Sequence, residues 1–163
     1  MTGADVEERF HSAFQDATRC LKGLTVFCGQ DPAFGGLSGW VFEKTIQKCI
    51  RESLASRRDA LPIDEQFSLG GRVKADLKVG TVVVEIRSAG LFGQADIDKY
   101  RTCKSAARSL GLRFVFLSLY ESHQPFRAGV TDALGAENVF FLREDAGSWQ
   151  RFIDLLLSEA VAK

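Results

Sequence analysis

The sequence predicts an α/β domain, a mixed β-sheet with helices packed around it. Three observations carry this reading. Apolar residues recur at helical spacing near both ends of the chain. Three short extended segments follow one another between residues 63 and 88, separated by Gly70-Gly71 and by Gly80. An apolar run of strand length, Arg113–Leu119, is then reached through a passage long enough for a helical crossover. At 163 residues the chain has the length of one domain, 1–163, with a substantial core.

Val6, Phe10, Phe14, Ala17 and Leu21 predict a first helix over 5–21, with Gly23 ending it. The glycine-rich stretch 23–39 reads as irregular, with a short strand at 25–28. Ser38 is placed to cap a second helix over 40–57, whose apolar stripe is Trp40, Ile46, Ile50 and Leu54. Strands are expected near 63–69, 72–79 and 81–88, an antiparallel meander. A third helix runs over 94–110 and stops at Gly111. A buried strand at 113–119, a short helix at 126–134, a strand at 138–142 and an amphipathic helix at 148–161 complete the order.

Hydrophobic residues make up 45% and charged residues 26%, which excludes a disordered or fibrous chain. No apolar run approaches the roughly 18–20 residues that span a bilayer, so no membrane partner is expected. The acidic, amphipathic start, Met1 to Cys20, lacks the layout of a secretory signal. Cys20, Cys28, Cys49 and Cys103 form no C-x-x-C pair, and with only His11 and His123 they make no zinc site. They read as free, mostly buried thiols in a reducing, cytoplasmic compartment. Gly35-Gly36 with Gly39 is followed by no Gly-Lys-Ser/Thr, so no nucleotide cofactor is expected. Net charge is zero, but residues 43–58 sum to +3 and residues 72–113 to +5, so basic charge is concentrated mid-chain. That distribution suits an electrostatic footprint for a polyanion, or a set of solvated faces.

The chemistry sits in the meander. Along 72–79, Val73, Ala75, Leu77 and Val79 alternate with Arg72, Lys74, Asp76 and Lys78, so the two sets are expected on opposite faces. The next strand, Thr81-Val82-Val83-Val84-Glu85-Ile86-Arg87, is apolar enough to be buried on both faces. A two-residue, glycine-first turn at Gly80-Thr81 pairs Val79 with Val82 and sets Asp76 opposite Glu85, and Lys74 opposite Arg87. Opposed carboxylates repel, and burying them requires a counter-charge. A hard divalent cation supplies one; an ion pair with Arg87 or Lys74 supplies the other. Glu43 lies at the edge of the second helix's stripe and is expected to face the sheet, or else to favour the helix start through the dipole.

A helix bearing Glu43, a meander with Asp76 in Lys74-Ala75-Asp76-Leu77 and Glu85-Ile86-Arg87-Ser88 on the next strand, then a helix and a strand, resembles the PD-(D/E)xK nuclease superfamily. The resemblance covers about residues 40–119. It implies a restriction-endonuclease-like αβββαβ core with an extra helix at each end. It implies a Mg²⁺- or Mn²⁺-dependent hydrolase that cuts phosphodiester bonds in DNA. Asp76, Glu85 and the carbonyl of Ile86 would hold the metal, with Glu43 as an accessory ligand, and the metal would activate water and stabilise the leaving oxygen. Ala75 stands where the family's nominal proline is expected.

Arg87 stands where the family has lysine. An arginine stays protonated and is no general base, though it can stabilise charge on a phosphate. Lys74, Lys78 or Lys99 could bring an ammonium from a neighbouring position. Gln94 opens the third helix after a flexible loop; the resemblance implies a polar residue there that reaches the site, and an ordinary helix start is the other reading. Tyr100, Arg101, Lys104 and Arg108 give that helix a basic face for phosphate contacts. Glu121 and His123 follow the fourth strand near a cleft. DNA is the expected partner, and the Phe-rich first helix offers a surface for a homodimer or larger complex. Two other readings stay open: a catalytically inactive relative binding nucleic acid or a protein, with Arg87 locked on Glu85, and an α/β domain whose acids only form ion pairs.

Overall fold

The computed structural model describes residues 1–28, 36–55, 61–71, 73–88, 93–120, 124–143 and 146–161. Its elements are helices α1 (Gly3–Cys28) and α2 (Leu37–Ala55), strands β1 (Ile63–Gly70), β2 (Val73–Val79) and β3 (Val82–Arg87), helix α3 (Gln94–Ser109), strand β4 (Arg113–Ser118), helix α4 (Gln124–Leu134), strand β5 (Val139–Phe141) and helix α5 (Ser148–Val161). The sheet order is β1-β2-β3-β4-β5. The first two pairings are antiparallel and the last two parallel, so the sheet is mixed. Helices α3 and α4 make the two crossovers that parallel neighbours require.

Two apolar cores sandwich the sheet. One lies under α1, α2 and α5, where Val6, Phe10, Phe42, Ile46, Trp149 and Phe152 meet the inner residues of β3 and β4. The other lies under α3 and α4, where Ile97, Tyr100, Ala107, Val130 and Leu134 meet Val83, Phe114 and Phe116. Strand β3 is buried on both faces, as its run of valines predicts.

The local chemistry corrects several expectations. Helix α1 continues through Gly23 to Cys28, with no strand at 25–28. Gly23 does not take the positive φ of a helix terminator, and one interior glycine costs a helix only about 1 kcal/mol. Ser38 lies inside α2 rather than capping it. Trp40 leaves the apolar stripe and is 58% exposed. The stripe is Val41, Phe42, Thr45, Ile46, Cys49, Ile50 and Leu54, and Trp40 lies about 200° around the helix from Phe42. Phe10 is buried edge-on against Phe42, ring centroids 5.2 Å apart, with Phe14 and Ala17 packed on the same core. The face of α1 offered for a dimer contact is thus largely occupied within the chain. Cys49 and Cys103 are buried free thiols and Cys20 is exposed; the Cys28 side chain lies outside the described set. No described helix is long and apolar enough to cross a membrane.

The largest correction concerns strand alternation. Leu77 and Val79 belong to the core under α2, but Ala75 and Val73 belong to the core under α3. Strand β1 changes sides at the same level: Ile63 packs with the first core, Phe67 and Leu69 with the second. The register places Gln66 opposite Asp76, between the pairs Glu65↔Leu77 and Phe67↔Ala75. Gln66 has φ 49°, the only positive φ on a non-glycine residue among those described. The four apolar positions of β2 therefore divide between the two cores rather than sharing one face.

Candidate active site

Strands β2 and β3 are joined by the expected tight turn. Gly80 has φ 58°, and the ladder runs from Val79↔Val82 to Leu77↔Val84. The same register sets Asp76 level with Glu85. Beyond the ladder, the Asp76 carboxylate takes over as acceptor, receiving the Ile86 N–H at 2.7 Å. Gln66, Asp76 and Glu85 therefore form one row across three strands, at the level where β1 and β2 change faces.

This row borders a cleft of about 480 Å³ lined by Gln66, Lys74, Asp76, Glu85, Arg87, Lys99 and, at its wall, Val73, Thr102 and Cys103. The Glu85 side chain is only 4% exposed. Its Oε1 accepts from the Lys99 ammonium at 2.8 Å and from Arg87 Nη2 at 3.1 Å. Arg87 is held in turn by Tyr100: its Nε donates to the phenol oxygen at 2.7 Å. Both cations keep exposed flanks, 42% for Arg87 and 47% for Lys99. The site thus pairs a buried carboxylate floor with cations that reach the open side.

The electrostatics follow from burial. Desolvation pushes the Glu85 carboxyl above its ordinary range; Asp76 beside it pushes further, and Lys99 and Arg87 only partly oppose this. Asp76 is likewise raised by burial, against the Ile86 N–H and the two cations. Glu43 is raised by burial and then by Asp76. Glu43 is half-buried, accepts a hydrogen bond from Gln47 at 3.3 Å, and does not line the cleft.

The expected site residues divide clearly. Asp76, Glu85, Ile86, Arg87, Lys74 and Lys99 come together, and Glu43 joins them at one remove. Lys78 instead pairs with Asp64 at 3.2 Å and lies over the Phe67 ring. Gln94 and Arg101 both hold Asp98, each at 3.0 Å, on the outside of α3. Lys104 donates to the carbonyls of Ala133 and Leu134, satisfying the C-terminal end of α4. Tyr100 leaves the basic face altogether; it is fully buried between Phe114 and Phe116. Glu121, His123 and positions 89–92 of the loop before Gln94 lie outside the described residues. Sequence reasoning missed Gln66, Thr102 and Cys103. Nothing in the sequence marks the left-handed backbone of Gln66, whereas Thr102 and Cys103 follow from helical phase, three and four residues after Lys99.

The donor set suits a hard cation in kind. Asp76 and Glu85 offer carboxylate oxygens, and the Ile86 carbonyl lies between Glu85 and Arg87 in sequence. Among the described residues no group of three histidine, cysteine or carboxylate side chains converges to ligand distance. A cation here would rest on two carboxylates and draw its remaining oxygens from the main chain, water and substrate, an arrangement ordinary for Mg²⁺. Comparison with protein-family models, with curated proteins and with solved structures finds no match to this chain.

Proposed function

We propose that this protein is a restriction-endonuclease-like, divalent-cation-dependent endonuclease hydrolysing phosphodiester bonds in DNA, with Lys99 supplying the ammonium in place of the motif lysine. One observation carries the reading: Asp76 and Glu85 line the floor of an open cleft, with the Lys99 ammonium 2.8 Å from Glu85. The order α2-β1-β2-β3-α3-β4 supports the resemblance as a scaffold. Asp76, Glu85 and the Ile86 carbonyl would hold the cation, which when bound supplies Lewis acidity and a more acidic water.

The chain's own residues do the rest. Lys99 reaches the reacting phosphate from α3 as a positive charge. Arg87 remains charged, is fixed by Tyr100, and neutralises negative charge on the phosphate. Lys74 extends the positive rim of the cleft toward the DNA backbone. The test is plasmid nicking in Mg²⁺ or Mn²⁺. The native chain should nick, Asp76→Ala and Lys99→Met should lose about 100-fold or more, and Arg87→Lys should keep most of its activity. Nicking by Lys99→Met at the native rate overturns the role of Lys99.

A second reading has its own observation. Both cations already meet the same oxygen of Glu85, so its charge is balanced without a metal. That supports a catalytically inactive nuclease-fold protein binding nucleic acid. It expects DNA retention without cleavage and without dependence on divalent cations.

A further inference from the structure

The chain has two tryptophans, and their surroundings are opposite. Trp149 is 1% exposed, and its indole N–H donates to Ser53 Oγ at 3.3 Å. Trp40 is 58% exposed, the most of any large apolar side chain among the described residues. It does not stand alone. Lys44, Lys48 and Arg51 follow it within about 80° of the α2 surface and about 16 Å of its length. Lys48 and Arg51 are exposed. Lys44 is tied by an ion pair to Glu65, the residue before Gln66 of the cleft. That contact fixes this face of α2 at the edge of the cleft, with Trp40 one turn, about 6 Å, before Lys44.

We propose that this face of α2 binds single-stranded DNA, with Trp40 stacking on an unpaired base while Lys48 and Arg51 meet backbone phosphates. The inference rests on the reading of the cleft as a site for DNA, and it names the substrate as DNA with an unpaired stretch beside the bond to be cut. A flat aromatic ring offers a π-face on which any base can stack. The bases of an intact duplex are already stacked on one another and show only their edges in the grooves. Three cations beside the ring suit a polyanion rather than an apolar surface. The neighbouring acids are already engaged: Glu65 by Lys44, and Glu52 by Arg9 of α1. The cleft continues the same positive charge with Lys74, Arg87 and Lys99.

The test titrates the full chain, without divalent cations, with a short oligo(dT) and with a blunt duplex of the same length, and follows tryptophan emission. Trp149 is buried, so a loss of emission reports Trp40. Oligo(dT) should quench it and the duplex should not. Trp40→Leu should weaken oligo(dT) binding about 10-fold or more, with Trp40→Phe recovering part of the loss. Replacing Lys48 and Arg51 together by methionine should lower the salt slope of binding by about 0.7 for each charge removed. Emission unchanged by oligo(dT), equal quenching by the duplex, or native affinity in Trp40→Leu overturns the proposal. Self-association that Trp40→Leu abolishes, with no response to oligo(dT), gives the face to a second copy of the chain and overturns it as well. A native chain that cuts no DNA in Mn²⁺ while oligo(dT) still quenches Trp40 removes the nuclease reading and keeps the single-strand face. Cleavage without quenching does the reverse.

Discussion

Replacing Asp76 by asparagine should stabilise the fold while removing its cation site. Asp76 and Glu85 follow the last ladder pair, Leu77↔Val84, on neighbouring strands, and opposed side chains at such positions are about 5 Å apart. Two unit charges at that distance repel by about 3 kcal/mol at an effective dielectric of 20. Arg87 and Lys99 offset part of this, but both make their contacts with Glu85. The amide oxygen of asparagine can still accept the Ile86 N–H that Asp76 now takes. A net gain of about 1 kcal/mol therefore remains, or about 2–4 °C in melting temperature for a chain of this size.

The pH dependence fixes the sign. The folded-state pKa of Asp76 is raised by burial, so its favourable contribution is full below the ordinary carboxylate range and is lost as pH rises through the raised value. The advantage of Asp76→Asn over the native chain should thus be smallest at low pH, grow as pH rises through that window, and then level off. Thermal melts of both chains across pH, without divalent cations, read this directly. Saturating Mn²⁺ should raise the melting temperature of the native chain and leave Asp76→Asn unchanged. A variant that melts several degrees below the native chain at neutral pH refutes the reasoning, since it would make the Asp76 charge a required partner of Arg87 and Lys99.

Other perturbations separate site from scaffold. Lys99→Met should cost little stability, because Arg87 still meets Glu85, yet lower nicking about 100-fold or more; a chemical melt and a nicking assay on the same preparation check both. Gly80→Ala should cost about 1 kcal/mol by urea denaturation, from backbone strain at φ 58° rather than from a clash, since the added carbon would come no nearer than 3.9 Å to Leu61. Phe152→Ala should cost about 3–5 kcal/mol, since its fully buried ring packs on both Trp149 and Phe140. Lys104→Met should lower stability by about 1 kcal/mol with cleavage unchanged, because Lys104 serves the end of α4; a comparable loss of DNA affinity would return it to the interface.

The sheet and the β2–β3 register were legible because a glycine-first turn leaves little choice of register. Once Val79 meets Val82, the pairs follow by counting as far as Leu77↔Val84, where the ladder ends. The change of face at Asp76 was not legible. Val73, Ala75, Leu77 and Val79 alternate perfectly, and each finds an apolar core, but two cores cover the sheet and either satisfies an apolar side chain. Nothing in the alternation of β2 itself chooses between them. Tyr100 was legible in principle: with Ile97, Cys103 and Ala107 it completes a buried stripe at helical spacing. The charged residues Lys99, Arg101 and Lys104 around it mask that phase. Lys104 shows a different ambiguity, because a long basic side chain serves a phosphate or a helix end equally well.

The central claim, that Asp76 and Glu85 form a cation site, is tested most directly by Mn²⁺ titration calorimetry on the native chain and on Asp76→Asn and Glu85→Gln. Saturable binding by the native chain, lost in both variants while each retains its fold, is the predicted result. Heat changes indistinguishable among the three chains at millimolar Mn²⁺ contradict it and leave Arg87 and Lys99 as the only counter-charges of the pair.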